Sequence, residues 1–414
     1  MERVREFQRL MDIIERYGEE VVILQRAMVS LPAVGPESGG EGETKKAAYV
    51  KTYLQRIGFD SIMEIDAPDA RVPSGIRPNI LARMHGTNRK RTIWIMSHLD
   101  VVPPGDLRMW SGDPFQLRVD GDRLIGRGVE DNHQGLVSSL LAAKAVKEAG
   151  LMPHCNIGLA IVADEETGND KGLNYVMEKH AAEFGRDDLI IVPDAGDSLG
   201  QTIEIAEKGI LWLKIEVRGK QCHASTPALG INAHRAAAHL VVKMDELGAI
   251  FHARNELFDP PESTFEPTKR EANVPNINTI PPEDILYLDA RVLPQYPLAS
   301  VEEKIRGLAA GIEKRFGVTI TLEPAQYAEA APPTPESAAV VVALKRAIQE
   351  VKGLEAKCIG IGGGTVAAVF RRAGFPAAVW ATLDDAAHQP DEYASIKNTL
   401  VDAQVMAHIF YHTV

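Results

Sequence analysis

Five acids and two histidines in this 414-residue chain fall just after apolar runs or in the loops that follow them. His98 and Asp100 follow the apolar run TIWIMS, and Asp131 closes the loop GRGVED. Glu165 and Glu166 follow IGLAIVAD, Asp194 follows LIIVP, and His388 follows VWATLDDAA. Each is expected at or just past the C-terminal end of a parallel strand, the edge where open α/β sheets build their sites. Carboxylates gathered at one edge repel, and protonation or cations must relieve them. Two divalent ions would do so. A set of histidine and carboxylate ligands suits zinc, and also cobalt or manganese.

Local geometry sharpens the roles. Residues two apart on a strand face the same way. His98 can therefore bind a metal while Asp100 fixes its ring from behind. Glu165 and Glu166 are adjacent and point apart, so one can bind metal while the other faces a bound water. A single aspartate can bridge two ions about 3.5–4 Å apart. The chemistry implied is hydrolysis by an activated water. For any one of these acids the plain alternative is an unrelated surface carboxylate in a loop; it is the ordered set that argues for a site. There is no G-x-S-x-G elbow and no Walker loop, because the glycines at 362–364 lack the following lysine.

The elements that must carry these residues are legible from periodicity. Residues 2–17, 44–57 and 134–149 read as helices, and 92–97, 157–163 and 189–193 as strands, which implies a mostly parallel sheet covered by helices. Near Lys208-Gly209 the texture changes: LWLKIEVRG alternates as a half-exposed antiparallel strand does. A helix is expected at 231–247, a strand at 285–293, a helix at 300–316 and a strand at 318–324. AAPPTPES at 330–337 reads as a linker. Helix 338–350, strands 356–361 and 377–381 and helix 395–411 follow. The reading is a discontinuous α/β catalytic domain, 1–209 and 329–414, with an inserted α+β domain at 210–328.

SHLDVVP (97–103), GRGVED (126–131), DEETG (164–168) and AHQPDEY (387–393) together resemble the acetylornithine deacetylase, succinyl-diaminopimelate desuccinylase and glutamate carboxypeptidase family. The resemblance runs over nearly the whole chain and keeps the motifs in order. It implies a zinc-exopeptidase-like sheet with a ferredoxin-like insert serving as a lid or dimerisation domain. It implies one metal on His98, Asp131 and Asp194 and a second on Asp131, Glu166 and His388, with Asp131 bridging. Glu165 would be the general base and Asp100 would orient His98. In the insert, GKQCHASTPALGINA (219–233) resembles the stretch whose histidine, here His223, reaches a partner subunit's site in a homodimer and stabilises the developing oxyanion. NINTIPP (276–282) and DAR (289–291) supply Asn278 and Arg291 for substrate, and IGGGT (361–365) supplies the Gly364 backbone and Thr365. Arginine suits a substrate carboxylate.

Four positions depart from the usual pattern. Asn132-His133-Gln134-Gly135 stands in place of x-Lys-Gly, and Val366 replaces an aspartate after Gly-Gly-Thr. Cys222 replaces a small residue before His223. Asp194 is an aspartate, as in aminopeptidase and dipeptidase branches, where deacylases tend to have glutamate. These put the substrate, not the metal site, in question.

Composition narrows the partners. A net charge of -12 argues against nucleic acid or an anionic membrane as the main partner. The charged N-terminus lacks the apolar core of a signal peptide, and no apolar run approaches the ~18 residues of a membrane span. Cys155, Cys222 and Cys358 form no close pair, as expected of reduced thiols in a cytoplasmic protein. The expected activity is cleavage of an amide bond in an N-acyl amino acid or small peptide. Dipeptidase or aminopeptidase action is the nearest alternative, and a non-catalytic dimeric metal- or ligand-binding protein is the alternative from another class. A protein of that last kind should lack the base or a ligand; here every position is filled.

Overall fold

The computed structural model describes residues 2–414, which form two units. The first comprises the chain up to Ile205, then Thr334–Cys358 and Val369–Val414; the second comprises Ala206–Pro333 and Ile359–Ala368. The glycine run at 361–365, expected in the catalytic domain, therefore groups with the insert. The reason is local pairing: Lys208 donates its backbone N–H to Ile361 (3.0 Å), and Phe258 bridges to Gly360.

The first unit is built on an eight-stranded sheet. Its order is Ser61–Pro68, Ile76–Met84, Cys155–Val162, Asn88–His98, Leu189–Asp197, Ala377–Thr382, Thr202–Glu207, Lys357–Ile361. The four strands from Cys155–Val162 to Ala377–Thr382 pair in parallel, while Ser61–Pro68, Ile76–Met84 and Thr202–Glu207 join antiparallel. The sheet is thus mixed rather than mostly parallel, because a hairpin widens one edge. All eight residues of Cys155–Val162 are buried, as a parallel strand covered on both faces requires.

The helix His133–Glu148 is buried along most of its length and packs on the C-terminal helix Ile396–His412. Gly135 lets it approach the sheet: a Cβ there would lie 2.6 Å from the Pro193 carbonyl. Helix Thr44–Ile57 ends on left-handed Gly58, whose N–H closes onto Leu54 and Gln55. No helix among the described residues is long and apolar enough to cross a membrane.

The second unit holds a four-stranded antiparallel sheet in the order Thr264–Arg270, Glu283–Val292, Gly209–Arg218, Thr319–Ala328. Helices Ala233–Met244 and Leu298–Phe316 cover it, so the chain order is β-α-β-β-α-β. Leu211, Leu213, Ile215 and Val217 alternate inward from the central strand to meet Leu240, Val301 and Ile305.

Candidate metal centre

His98 ends its strand and is almost wholly buried. Its Nδ1 lies 3.0 Å from the Asp100 carbonyl and 3.6 Å from the Asp100 carboxylate. Its Nε2 faces Asp131 Oδ1 at 2.9 Å, Asp194 Oδ1 at 3.4 Å and Glu165 Oε2 at 4.0 Å. The other oxygen of Asp131 lies 3.0 Å from His388 Nε2, which is 3.2 Å from Glu166 Oε2. Asp131 thus stands between the two histidines, one oxygen to each. The seven residues singled out by sequence meet in one place, although Asp131 follows the short antiparallel strand Arg123–Ile125 and not the end of a parallel strand.

Asp100 does more than back His98. Its carboxylate accepts the N–H groups of Glu165 and Glu166, each at 3.0 Å, and so fixes the turn that carries them. Asp164 braces the same turn, accepting from Thr167 Oγ1 and the Lys171 N–H. Arg77, fully buried, lies 3.3 Å from Asp164 and pairs with buried Glu43. Asn132 donates to Asp194 Oδ1 and to the Pro193 carbonyl, both at 2.7 Å, which aims Asp194 inward.

Two glutamates that sequence reasoning missed lock the loops bearing Asp131 and His388. Glu392 accepts from Arg127 (2.7 Å) and from the N–H groups of Gly128, Glu130 and Asp131. In return Glu130 accepts the N–H groups of Asp384 (2.7 Å) and Ala386 (2.6 Å). The loops meet because Arg123–Ile125 pairs antiparallel with Tyr393–Ser395. His388 itself sits at φ +63, a left-handed conformation that costs a non-glycine residue and needs such bracing. Glu392 lies in AHQPDEY, so its position in the motif was visible; the exchange of carboxylates was not.

The electrostatics fit a cation site. Burial, then the charges of Asp194, Asp131 and Glu166, push Glu165 well above the usual carboxylate range. Burial raises Glu166 too, and its buried Oε1 has no hydrogen-bond partner. Burial alone would lower His98, but its bonds to Asp100, Asp131 and Asp194 hold it well above the ordinary imidazole value. Asp131 and Glu166 raise His388 to about 10. Buried carboxylates thus converge on imidazole nitrogens, a donor set that suits a divalent ion. His98, Glu165 and Asp194 could hold one ion, and so could His98, Asp131 and Glu166, since in each group the ligand atoms lie within 4.8 Å of one another.

A buried lysine also lies against this network. Lys46 Nζ is 2.7 Å from His133 Nε2, and both residues are about 1% exposed. Burial pushes Lys46 down to about 7 against the pull of Asp100, Glu43, Glu392 and Glu166. His133 is therefore engaged by Lys46.

In the second unit, His223 and Thr279 are paired across two short strands, and Ala224 donates to the Asn278 carbonyl. The exposed His223 ring has Nδ1 2.7 Å from Ser225 Oγ. Asn278 Oδ1 accepts from Asn276. Arg291 is already engaged: Asp289 takes Nε and Nη2 (2.6 and 3.0 Å), and the Gly362 carbonyl takes Nη1 (2.9 Å). Thr365 donates its N–H and hydroxyl to Glu207, another residue the sequence reading passed over. A Cβ at Gly364 would meet Ile210 at 3.7 Å and Glu207 at 4.0 Å, ordinary contacts.

Comparison with known proteins agrees with this chemistry. Residues 94–412 match the peptidase family M20/M25/M40. An uncharacterized metallohydrolase of Methanococcus maripaludis is 39% identical, over 94% of this chain and 97% of its own. A succinyl-diaminopimelate desuccinylase of Gluconacetobacter diazotrophicus is 29% identical, over 93% and 94%. A tripeptidase structure from Staphylococcus aureus superposes with a TM-score of 0.76 over 95% of this chain and 97% of its own; at 19% identity it shows the shared fold alone.

Proposed function

The chain belongs to peptidase family M20/M25/M40, and from that premise we propose that it removes the acyl group from an N-acyl amino acid or cleaves a small peptide. It is a metal-dependent hydrolase acting on C–N bonds. The observation that carries the two-metal reading is Asp131, whose two oxygens face His98 and His388 at 2.9 and 3.0 Å. We propose zinc as the resident ion, on His98, Asp131 and Asp194 and on Asp131, Glu166 and His388, with cobalt or manganese able to substitute. Those residues would hold a metal pair, which would supply a water of lowered pKa and a polarised carbonyl.

The chain's own groups do the rest. Glu165 takes a proton from the attacking water and returns it to the leaving nitrogen, a role that its place beside His98 and Asp194 supports. Asp100 keeps both glutamates in place through their amides. His223 is proposed to stabilise the oxyanion at a partner subunit's site. The insert's connectivity supports a ferredoxin-like domain suited to a lid or a dimer contact. Arg291, Asn278, Gly364 and Thr365 are proposed to hold the substrate. A substrate carboxylate would compete with Asp289 for Arg291.

A second reading, dipeptide or aminopeptide cleavage, is favoured by the aspartate at position 194. Metal-reconstituted enzyme should be assayed against N-acyl amino acids and dipeptides side by side. Preference for dipeptides would overturn the deacylase reading and leave the hydrolase one standing. No turnover of either class would sink both substrate proposals.

A further inference from the structure

A second cluster of metal-ligating side chains lies at the far end of the C-terminal helix. That helix rises about 1.5 Å per residue, which puts His412 roughly 24 Å from Ile396. His408 and His412 are four apart on it and so share one face. The same spacing lets two histidines of one helix bind one zinc ion in known metal sites. Glu350 approaches from the helix Ala339–Lys352, with Oε2 2.8 Å from His408 Nε2. The three residues offer ligand atoms within 4.8 Å of one another. We propose that Glu350, His408 and His412 form a third divalent-cation site of zinc type, independent of the strand-end centre.

Two features support it. First, His412 Nε2 is shielded from solvent and makes no hydrogen bond. A buried polar atom in a native protein is seldom left so. Second, the carboxylate is pre-aimed. Arg346 holds Glu350 Oε1 at 2.7 Å, which leaves Oε2 directed at His408. A cavity of about 220 Å³ lined by His408, His412, Arg346 and Arg91 gives an ion and a completing water room to enter.

Binding moves the His408 proton from Nε2 to Nδ1, with Glu350 exchanging that hydrogen bond for the ion. The Arg346 charge beside Glu350 makes this site weaker than the centre at the sheet edge, so its ion should leave first on dialysis.

The test is a metal count on the full chain. Metal-free protein is dialysed against zinc, and bound zinc is measured per chain. Wild type should hold one ion more than His412→Ala, which should keep full turnover. A chain carrying His98→Ala and His388→Ala should still bind one ion. Glu350→Gln, a change at a part-exposed side chain, repeats the measurement should His412→Ala fold poorly. Equal zinc content in wild type and both variants would overturn the proposal. So would a complete loss of zinc binding in the His98→Ala, His388→Ala chain, whatever becomes of the catalytic reading.

Discussion

Glu392 accepts the backbone N–H of Asp131 at 3.1 Å. A carboxylate from the end of the chain thus positions the residue that stands between His98 and His388. Removing it by Glu392→Ala strands the Arg127 guanidinium and three backbone donors in a buried place. Breaking a buried pair of this kind costs about 3–5 kcal/mol. The variant should unfold at lower denaturant and lose zinc to chelator concentrations that wild type withstands. Unchanged zinc affinity in a folded variant would mean that the 127–131 loop holds its shape without Glu392.

Glu165 and the metal ligands should separate cleanly on mutation. Glu165→Gln should retain zinc yet lose turnover by roughly 10²–10⁴-fold, the usual worth of a general acid–base. Wild type dialysed against chelator should lose activity and regain it with divalent ions. If excess zinc restores Glu165→Gln instead, Glu165 is a ligand, a role its place near His98 and Asp194 permits.

His98, Glu165 and Asp194 were legible because each follows an apolar run that stops at an acid or histidine, whereas Asp131 was legible only through the loop GRGVED. The apparatus around them was not. Lys46, Glu43 and Arg77 are buried beside the site, yet each reads in sequence as an ordinary charge on a helix or strand. Arg77 and Asn79 also hid the strand Ile76–Met84, since buried polar residues interrupt its apolar pattern. Its hairpin partner Ser61–Pro68 is an edge strand, largely exposed and weakly patterned. The Glu130–Glu392 exchange depends on the pairing of Ile125 with Tyr393, a register between distant segments that no local pattern encodes.

Arg291 tests substrate recognition. Its pair with Asp289 is about one quarter exposed on each side, so the gain from a substrate carboxylate should fall at the low end for charged pairs. Arg291→Ala should cost about 2 kcal/mol, roughly thirtyfold in kcat/KM, on substrates bearing a free carboxylate. Substrates whose carboxylate is amidated should lose little. Equal losses on both would assign Arg291 a structural role through Asp289 and the Gly362 carbonyl.

His223 tests assembly. Glu165→Gln and His223→Ala should each be inactive alone. If His223 serves a partner subunit, mixing the two with subunit exchange gives heterodimers in which one site has both a wild-type base and a wild-type histidine. Partial recovery of activity is expected. Heterodimers confirmed by mass that stay inactive would show that His223 acts in its own chain or not at all.

Asp402 gives a stability test that does not pass through the metal centre. It is fully buried on the C-terminal helix and accepts from the Thr382 N–H and hydroxyl and from Gln134. Burial outweighs these bonds and raises its pKa to about 6 from an ordinary 3.8. The folded state therefore takes up this proton at higher pH than the unfolded state does. Between about pH 4 and 6 the native chain binds more protons at this site, so this contribution to stability falls as pH rises through that window. The whole effect is at most about 3 kcal/mol, since one pKa unit is worth 1.36. Asp402→Asn keeps the shape and cannot ionise; its amide can donate to Thr382 Oγ1 if that hydroxyl turns. Urea unfolding of both proteins from pH 4 to 7.5 should show the variant gaining stability relative to wild type as pH rises, and levelling above pH 6. A flat difference across that range would mean that Asp402 ionises in the fold as it does in water.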